Sequence, residues 1–204
     1  TNNVFPGMVE ATTAGIAAGI VAGGLDDVDG VVTVQKRLVV AVDGEEQDMA
    51  LIDAVVLDQA FVGARAVWNI DEVRQVFCTR AQPETIGLSA IGGGICPVDP
   101  EDDHGLYLDV GDGRWRTRAA VLPGVVQEIG IRDVRRLPLG EEMPISIRPC
   151  LIALDGEREV TVAADDDVTI RVERDGPCVV DINKVIRQAA LRGFFTDDNR
   201  SKRG

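Results

Sequence analysis

The chain has 204 residues, a length that can form one large or two small domains. Its net charge of −13 disfavours nucleic acids and anionic membranes as partners, because their phosphates repel an acidic surface. Hydrophobic residues make up 45% of the chain and aromatic residues only 4%, which predicts a core of Val, Ile, Leu and Ala and favours strands.

The chain begins with a polar loop that turns directly into a predicted helix. Residues 1–6 are of a type that follows a strand and presents amides to a ligand. The helix is predicted over residues 8–23 and consists of small residues closed by glycine. Gly15, Gly19 and Gly23 recur at every fourth position, which predicts close packing in a soluble core. Its apolar stretch is shorter than the roughly 20 residues that span a bilayer, so we expect no membrane association.

The next part of the chain alternates strands with turns. A strand run over residues 31–42 and a returning strand over residues 49–57 flank a predicted hairpin turn at residues 43–46. Acidic residues lie near the start of segment 69–77, which predicts a short helix. The glycine-rich segment 83–97 predicts a loop with a short apolar centre.

Further short strands precede the last helix. A hairpin is predicted around residues 111–113, and segment 125–137 holds one or two strands. The clearest strands, separated by Asp-rich turns, are predicted at residues 145–147, 150–154, 159–163, 168–173 and 177–180. Asp181 is the predicted N-cap of a final helix that ends at Gly193.

Together these elements predict a mainly β fold. Many short strands with a helix near each end favour an antiparallel β-sandwich-like architecture. We expect a single β-rich domain over residues 1–195, followed by a polar tail over residues 196–204. No internal repeat and no linker is evident in the sequence.

Two glycine- or amide-rich segments are candidate binding sites. The first is Thr1-Asn2-Asn3, whose amides suit ribose hydroxyls or phosphates, with a helix N-cap as the alternative. The second is segment 84–94, where glycines let a ligand approach the backbone and Thr85 and Ser89 offer hydroxyls. This segment lacks the lysine of a phosphate-binding P-loop, and an ordinary loop is its alternative.

Acidic residues form a third candidate. Asp155-Gly156-Glu157 follows an apolar strand, where a carboxylate could hold Mg²⁺ or act as a base toward a hydroxyl. The same triplet fits a hairpin turn, which is the commoner use of Asp-Gly. His104 is the only histidine, and its acidic neighbours favour a solvated loop.

Cysteine and lysine usage indicates the compartment. No two cysteines form a Cys-x-x-Cys pair, so we expect buried thiols in a reducing cytoplasm and no zinc site. Asp and Glu number 34 against 21 Lys and Arg, which favours a halophile's cytoplasmic protein, such as one from a halophilic archaeon. The alternative is an acidic protein from a GC-rich genome, because arginine also exceeds lysine.

The order of several short strings resembles one protein family. The strings are Thr1-Asn2-Asn3-Val4-Phe5-Pro6, Ala50-Leu51-Ile52-Asp53, Phe61-Val62-Gly63-Ala64-Arg65, Ile86-Gly87-Leu88-Ser89-Ala90-Ile91-Gly92 and Ala153-Leu154-Asp155-Gly156-Glu157-Arg158-Glu159. In this order they resemble the C-terminal part of the ATP-NAD kinase family, specifically its acetoin catabolism X-like branch. That family is similar in fold to diacylglycerol and sphingosine kinases.

The resemblance implies a β-rich C-terminal domain that contacts a nucleotide. An N-terminal α/β domain, absent from this chain, would carry the Gly-Gly-Asp-Gly loop and a catalytic Asp upstream of Thr1. The nucleotide-binding residues that we expect are Thr1, Asn2, Asn3, Asp53, Thr85, Gly87, Ser89, Ala90, Gly92, Gly156 and Glu157. Asp155 would have a supporting role. The resemblance also implies Mg²⁺ as a cofactor, although no residue of this chain is expected to ligate a metal, and it implies a homo-oligomer.

The leading hypothesis is a phosphotransferase that moves phosphate from ATP or polyphosphate to NAD or a related nucleotide hydroxyl. Leu88 and Ile91 stand where NAD kinases have Ser and Tyr, and Ile52-Asp53 stand where they have Asn-Glu. These departures favour, as the alternative, a non-catalytic nucleotide or metabolite sensor linked to acetoin-type catabolism. A third hypothesis is an assembly module, because related kinases pair through this domain.

Overall fold

The computed structural model of the chain describes residues 9–24, 30–59 and 70–196. The elements are α1 (Ala11–Ala22), β1 (Val32–Val34), β2 (Arg37–Val42), β3 (Glu45–Ala50), β4 (Asp53–Leu57), β5 (Val73–Cys78), α2 (Leu88–Gly93), β6 (His104–Leu122), β7 (Val125–Pro138), β8 (Met143–Pro144), β9 (Cys150–Leu154), β10 (Arg158–Val162), β11 (Val168–Glu173), β12 (Cys178–Val180) and α3 (Ile182–Leu191). A 3-10 helix at Ile70–Glu72 precedes β5. Strands dominate and a helix lies near each end, so the predicted mainly β class is confirmed.

The described residues form two compact units. The first contains residues 9–24, 30–34 and 177–196, and the second contains residues 35–59 and 70–176. In the first unit, β1 pairs antiparallel with β12. Its small core consists of Ala17, Ile20, Val31, Val185 and Ala189, contributed by both helices and by the residue before β1.

Helix α3 begins as the sequence predicts. The Asp181 carboxylate accepts a hydrogen bond from the N–H of Lys184 at 3.0 Å, which satisfies one of the free donors of the first turn. Val185 and Ala189 are buried one turn apart on the same face. The helix ends at Leu191, and Gly193 follows with a φ of 75°. The N-cap prediction for Asp181 is confirmed.

Helix α1 does not pack through its glycines. It buries Ala17 and Ile20, whereas Gly15 and Gly19 are exposed. A Cβ atom added at Gly15 or Gly19 would meet nothing within 4 Å. The predicted close packing of this glycine stripe is therefore wrong within the described residues.

The second unit contains two sheets that pack face to face. One sheet has the strand order β10-β9-β4-β5-β6-β7 and the other the order β3-β2-β11-β8, and every pair in them is antiparallel. A single apolar cluster joins them, since it includes Leu38 and Ile170 of the smaller sheet with Val56 and Ile152 of the larger one. The predicted antiparallel sandwich lies in this unit.

The other face of the six-stranded sheet carries helix α2. All six residues of this helix are buried, and Leu88, Ala90 and Ile91 join a cluster with Val76 and Leu108 of the sheet. The segment predicted to be a glycine-rich loop thus contains a short core helix. Gly92 permits its close approach, because a Cβ atom there would lie 2.6 Å from Leu106 Cδ2 and 3.2 Å from Ala81 Cβ.

The helix predicted over segment 69–77 is wrong for the described part of that segment. Only Ile70–Glu72 forms a 3-10 turn, after which β5 begins at Val73. This strand pairs with β4 on one side and β6 on the other, and it is buried along most of its length. Two-sided burial of valine and phenylalanine outweighs the helix-start signal of two acidic residues.

The predicted hairpin around residues 111–113 is also wrong. These residues lie within one 19-residue strand, β6, which pairs with β7 both before and after them. Val110 and Trp115 both pair with Ile131, so residues 111–114 bulge out between them. Glycine is required in this bulge, because a Cβ atom at Gly113 would lie 2.7 Å from the Ile131 carbonyl oxygen.

Smaller differences concern strand boundaries. The run predicted at residues 31–42 divides into β1 and β2, and the run at residues 49–57 divides into the end of β3 and all of β4. The strand predicted at residues 145–147 lies earlier, at Met143–Pro144. The strands β9 and β11 match their predicted bounds. In the part of the chain that the structure describes, no helix is long and apolar enough to cross a membrane.

Candidate functional site

The turn after β9 holds a carboxylate inside a group of backbone N–H donors. Asp155 is 7% exposed, and its carboxylate accepts from Leu51 N at 2.8 Å, Ile52 N at 2.7 Å and Asp53 N at 3.2 Å. Its own backbone N–H donates to the Asp53 carbonyl at 3.0 Å. Asp155 therefore fixes the short bend that connects β3 to β4.

The local sequence explains why the Asp155 carboxylate can reach the bend between β3 and β4. Asp155 has a φ of 52° and Gly156 a φ of 69°, values that Asp and Gly tolerate better than other residues. The Glu157 N–H closes the turn on the Leu154 carbonyl at 2.9 Å, while Gly156 and Glu157 are exposed. The triplet is thus a hairpin turn, as one of the two interpretations held, and it also orients a buried carboxylate.

Asp53 begins β4 directly beside this turn. The residue is half-buried, and burial, followed by the charge of Asp155, raises the pKa of its carboxyl to about 7. No hydrogen-bond donor reaches this carboxyl from residues 9–24, 30–59 or 70–196. A desolvated carboxyl without donors and with a pKa near neutrality can accept a hydroxyl or exchange a proton with one.

Two cationic residues lie near this bend. Lys36 is 3% exposed, and burial, followed by the charge of Arg174, lowers its pKa to about 8. Its ammonium donates to the Asp99 carbonyl at 3.0 Å and to the His104 carbonyl at 2.6 Å. Burial also lowers the pKa of Arg80, although the charges of Asp155 and Glu101 act in the opposite direction.

A narrow cleft separates the bend from these cations. Its walls are formed by Gln35, Lys36, Leu51, Ile52, Thr79, Arg80 and Pro100, and its volume of about 10 Å³ holds about one water molecule. The Thr79 hydroxyl donates to the Leu51 carbonyl at 2.7 Å, which ties one wall to the bend. In this conformation the cleft can take a terminal polar group of a ligand rather than a ring.

The acidic loop (residues 99–103) is anchored to this region. Besides Lys36, Arg174 donates to the carbonyls of Pro100 at 3.2 Å, Glu101 at 3.0 Å and Asp102 at 2.7 Å. His104, at the end of the loop, is half-buried rather than solvated, and burial lowers its pKa. Its Nε2 atom is enclosed without a hydrogen-bond partner among the described residues.

The glycine-rich candidate lies at a separate location, around α2. The Thr85 and Ser89 hydroxyls lie 3.0 Å apart, and the Thr85 hydroxyl is 2.7 Å from the Gln82 carbonyl. The Gly87 N–H donates to the Ala120 carbonyl at 2.8 Å. Ala90 and Gly92 are packed into the core. Within the described ranges, no hydrogen bond links this group to Asp53 or Asp155.

Three of the expected binding residues cannot be compared with the structure, because Thr1, Asn2 and Asn3 lie outside the described residues. The sequence did not point to Lys36 or Arg80, and the one available signal was the scarcity of lysine, since Lys36 is one of three lysines.

Among residues 9–24, 30–59 and 70–196, no three His, Cys, Asp or Glu side chains form a group that could hold a metal ion. The carboxylate of Asp155 is already bound to three N–H groups, so these residues do not fit a resident Mg²⁺.

Known proteins resemble the chain over most of its length. Residues 36–175 match the family model described as Acetoin catabolism protein X C-terminal domain. The Acetoin catabolism protein X of Cupriavidus necator is 34% identical over 196 residues, which cover 93% of this chain and 55% of that relative. The chain therefore spans about half the length of the curated relative that it matches. The residues of the bend and of the nearby cations all lie inside the matched range.

Proposed function

The chain belongs to the Acetoin catabolism protein X C-terminal domain family, and from that premise we propose that it binds a nucleotide through Asp53. In this proposal it is the nucleotide-binding part of a phosphotransferase that acts on NAD or a related nucleotide hydroxyl. The observation that carries the proposal is the Asp53 carboxyl, which is desolvated and receives no hydrogen bond from the described residues.

A ribose hydroxyl is the partner that such a carboxyl lacks. Acidic side chains at strand ends accept ribose hydroxyls in dinucleotide-binding proteins, because a charged acceptor strengthens the hydrogen bond. Asp155 positions Asp53 by holding its backbone N–H at 3.2 Å. The pKa of Asp53 near 7 also suits removal of a proton from a hydroxyl that becomes phosphorylated.

Lys36 and Arg80 would attract the phosphates of the same ligand. Both are partly or fully removed from solvent, where a cation interacts more strongly with an anion. The cleft beside them accepts only a small terminal group, which a phosphate oxygen satisfies. In phosphoryl transfer, positioning and charge neutralisation supply most of the catalysis. Mg²⁺ would enter as part of the nucleotide complex, and no role is assigned to a metal held by this chain.

Calorimetric titration with NAD, NADP and ATP tests the binding step. We expect Asp53→Asn to weaken nucleotide binding by about tenfold or more, because a hydrogen bond to a charged group contributes about 1.5–3 kcal/mol. Asp165→Asn is the matched control, since Asp165 is exposed in the turn before β11. Equal affinity of the Asp53→Asn and Asp165→Asn variants would overturn the proposal, as would the absence of binding by the wild-type chain.

The second candidate function is a non-catalytic sensor linked to acetoin-type catabolism. It is favoured by the burial of Leu88 at 8% exposure and Ile91 at 0%, which leaves helix α2 no polar side chain for a nucleotide besides Ser89. Turnover separates the two functions. ATP, Mg²⁺ and NAD incubated with the longer family protein should yield NADP if the phosphotransferase proposal is right, whereas binding without NADP formation supports the sensor.

A further inference from the structure

The acidic loop occupies cations that a phosphate ligand would need. Lys36 donates to the carbonyls of Asp99 and His104, which lie at the start of the loop and directly after it. Arg174 donates to the three successive carbonyls between them and also to the Asp103 carboxylate at 3.2 Å. Every residue of the loop therefore contributes an oxygen atom to one of two cations.

Most of these oxygen atoms carry no charge. All the contacts are to backbone carbonyls except the one to Asp103, whose side chain is 88% exposed. The charge of Arg174 acts, after burial, to lower the pKa of Lys36, so the two cations are close enough to repel each other. A cation bonds more strongly to an anionic oxygen than to a neutral one. Phosphate oxygens would thus be better partners for this pair than the loop is.

The loop has little else to hold it in place. In the part of the chain that the structure describes, its one backbone–backbone hydrogen bond runs from the Asp102 N–H to the Asp99 carbonyl at 3.2 Å. Both flanks are fixed, because Val98 and Ala81 exchange two backbone hydrogen bonds at 2.9 Å and β6 begins at His104. A short turn between fixed ends can move without disturbing the sheet.

The loop also narrows the cleft beside the bend. Pro100 forms part of its wall, and the volume of about 10 Å³ leaves room for one oxygen atom but not for a whole phosphate group. The charge of Glu101 raises the pKa of Arg80 against the effect of burial, so the loop supplies a counter-charge to this third cation as well. Movement of the loop would widen the cleft and remove that counter-charge together.

We propose that the acidic loop is an internal competitor, which occupies the cations Lys36, Arg80 and Arg174 until the phosphate chain of a ligand displaces it. The proposal rests on the proposed function, since it concerns access to the same site. Closure of the loop and binding of a phosphate chain exclude each other. The apparent affinity is therefore the affinity of the open form reduced by the fraction of molecules that are open.

Hydrogen–deuterium exchange with inorganic tripolyphosphate tests the displacement. This probe has no ribose, so its binding does not require the Asp53 carboxyl. We expect the amides of residues 99–103 to exchange faster in the complex than in the free protein, because the loop leaves its cations. Amides of the central strand β11 should be unchanged and serve as the internal control. Ordinary binding beneath a fixed loop predicts the opposite sign, since a bound ligand slows exchange around it.

A neutralised loop should bind the probe more tightly. Glu101→Gln combined with Asp103→Asn removes the counter-charge to Arg80 and the ion pair with Arg174. We expect calorimetry to show about two- to tenfold tighter tripolyphosphate binding, because the closed form is weakened. Asp112→Asn with Asp165→Asn removes the same charge from exposed turns, and at equal ionic strength it should change the affinity by less than about twofold.

Three results would overturn the proposal. They are the absence of tripolyphosphate binding, slower or unchanged exchange of the loop in the complex, and equal affinities of the two double variants. Asp53→Asn separates this proposal from the proposed function, because the variant should bind tripolyphosphate as wild type does. Unaltered nucleotide binding by Asp53→Asn would overturn the proposed function, whereas the exchange of the loop with tripolyphosphate would be unaffected.

Discussion

Asp155 and Asp53 bond to each other in both directions. The Asp155 N–H donates to the Asp53 carbonyl at 3.0 Å, and Asp155 Oδ1 accepts from the Asp53 N–H at 3.2 Å. The contact holds two carboxyl groups close together, and the charge of Asp155 adds to burial in raising the pKa of Asp53. Asp155 therefore affects both stability and chemistry, because it holds the bend in place and also raises the pKa of Asp53.

Replacement of Asp155 by Asn should destabilise the protein. The amide retains one acceptor oxygen and directs an NH₂ group toward N–H donors, so charge-assisted bonds to the bend are lost. We expect the free energy of unfolding to fall by about 2–3 kcal/mol, measured by urea denaturation at pH 7. The exposed Asp165→Asn change should stay within about 0.5 kcal/mol of wild type. An unchanged midpoint for Asp155→Asn would show that the carboxylate does not secure the bend.

Replacement of Asp53 by Asn should have the opposite effect at neutral pH. The raised pKa keeps the Asp53 proton on the folded protein up to about pH 7, whereas the unfolded chain releases it near pH 3.8, the ordinary pKa of an aspartate. Ionisation of Asp53 therefore removes stability as pH rises between these values. Asp53→Asn avoids this loss, and we expect it to be more stable than wild type by roughly 2–4 kcal/mol at pH 8.

The pH dependence provides the control for this prediction. Near pH 4 the folded protein keeps the Asp53 proton and the unfolded chain has lost about half of its own, so the stability difference between wild type and Asp53→Asn should shrink to less than about 1 kcal/mol. Denaturation curves of both proteins at pH 4, 6 and 8 measure this stability difference. A difference that is constant with pH, or a less stable variant at pH 8, would contradict the raised pKa. Gain of stability with loss of nucleotide binding would mark Asp53 as a functional residue.

Arg174 should control the opening of the acidic loop. Its guanidinium donates to three successive carbonyls, so Arg174→Ala leaves them to water and frees residues 99–103. Hydrogen–deuterium exchange of the loop amides should accelerate, and the unfolding free energy should fall by about 1–3 kcal/mol. Arg187→Ala, on the exposed face of α3, is the matched control. Equal exchange of the loop in both variants would refute the anchoring role.

Two glycine-to-alanine changes should act in opposite directions. In Gly92→Ala the new methyl group collides with Leu106 Cδ2 at 2.6 Å, and we expect a loss of about 1–3 kcal/mol. In Gly15→Ala the methyl group enters open space in a helix, and we expect a gain of about 0.5–1 kcal/mol. Thermal unfolding measures both. A neutral Gly92→Ala would argue that α2 is not held against β6, and that this segment is free to contact a ligand.

The sequence predicts local elements well where turn chemistry and periodicity agree. The strands β9 and β11 and the cap at Asp181 follow from Asp-Gly turns and a regular apolar pattern. Prediction from the sequence fails where strands that are distant along the chain determine the local structure. The bulge at residues 111–114 exists because both flanks pair with Ile131, and segment 73–78 is a strand because β4 and β6 enclose it.

The candidate site was only partly predictable for the same reason. Asp155 and Asp53 are 102 positions apart, and a resemblance rather than a pattern brought Asp53 to attention. The sequence around Lys36 and Arg80 gives no indication of a site, since only the fold brings these two residues beside the bend. Ser89 and Thr85 have the composition of a ligand loop, yet their hydroxyls lie close to one another, as only the packing of α2 reveals.

Because lysine is scarce, chemical labelling of amines reports on a single side chain in the second unit. Lys36 is the single amine side chain in residues 35–176, and it is 3% exposed, whereas the Lys184 side chain is 61% exposed in the first unit. Acylating reagents modify only accessible, deprotonated amines, so the native protein should be labelled at Lys184 while Lys36 stays unmodified. A short reagent pulse with peptide mass spectrometry would then time the release of the acidic loop, without any engineered probe.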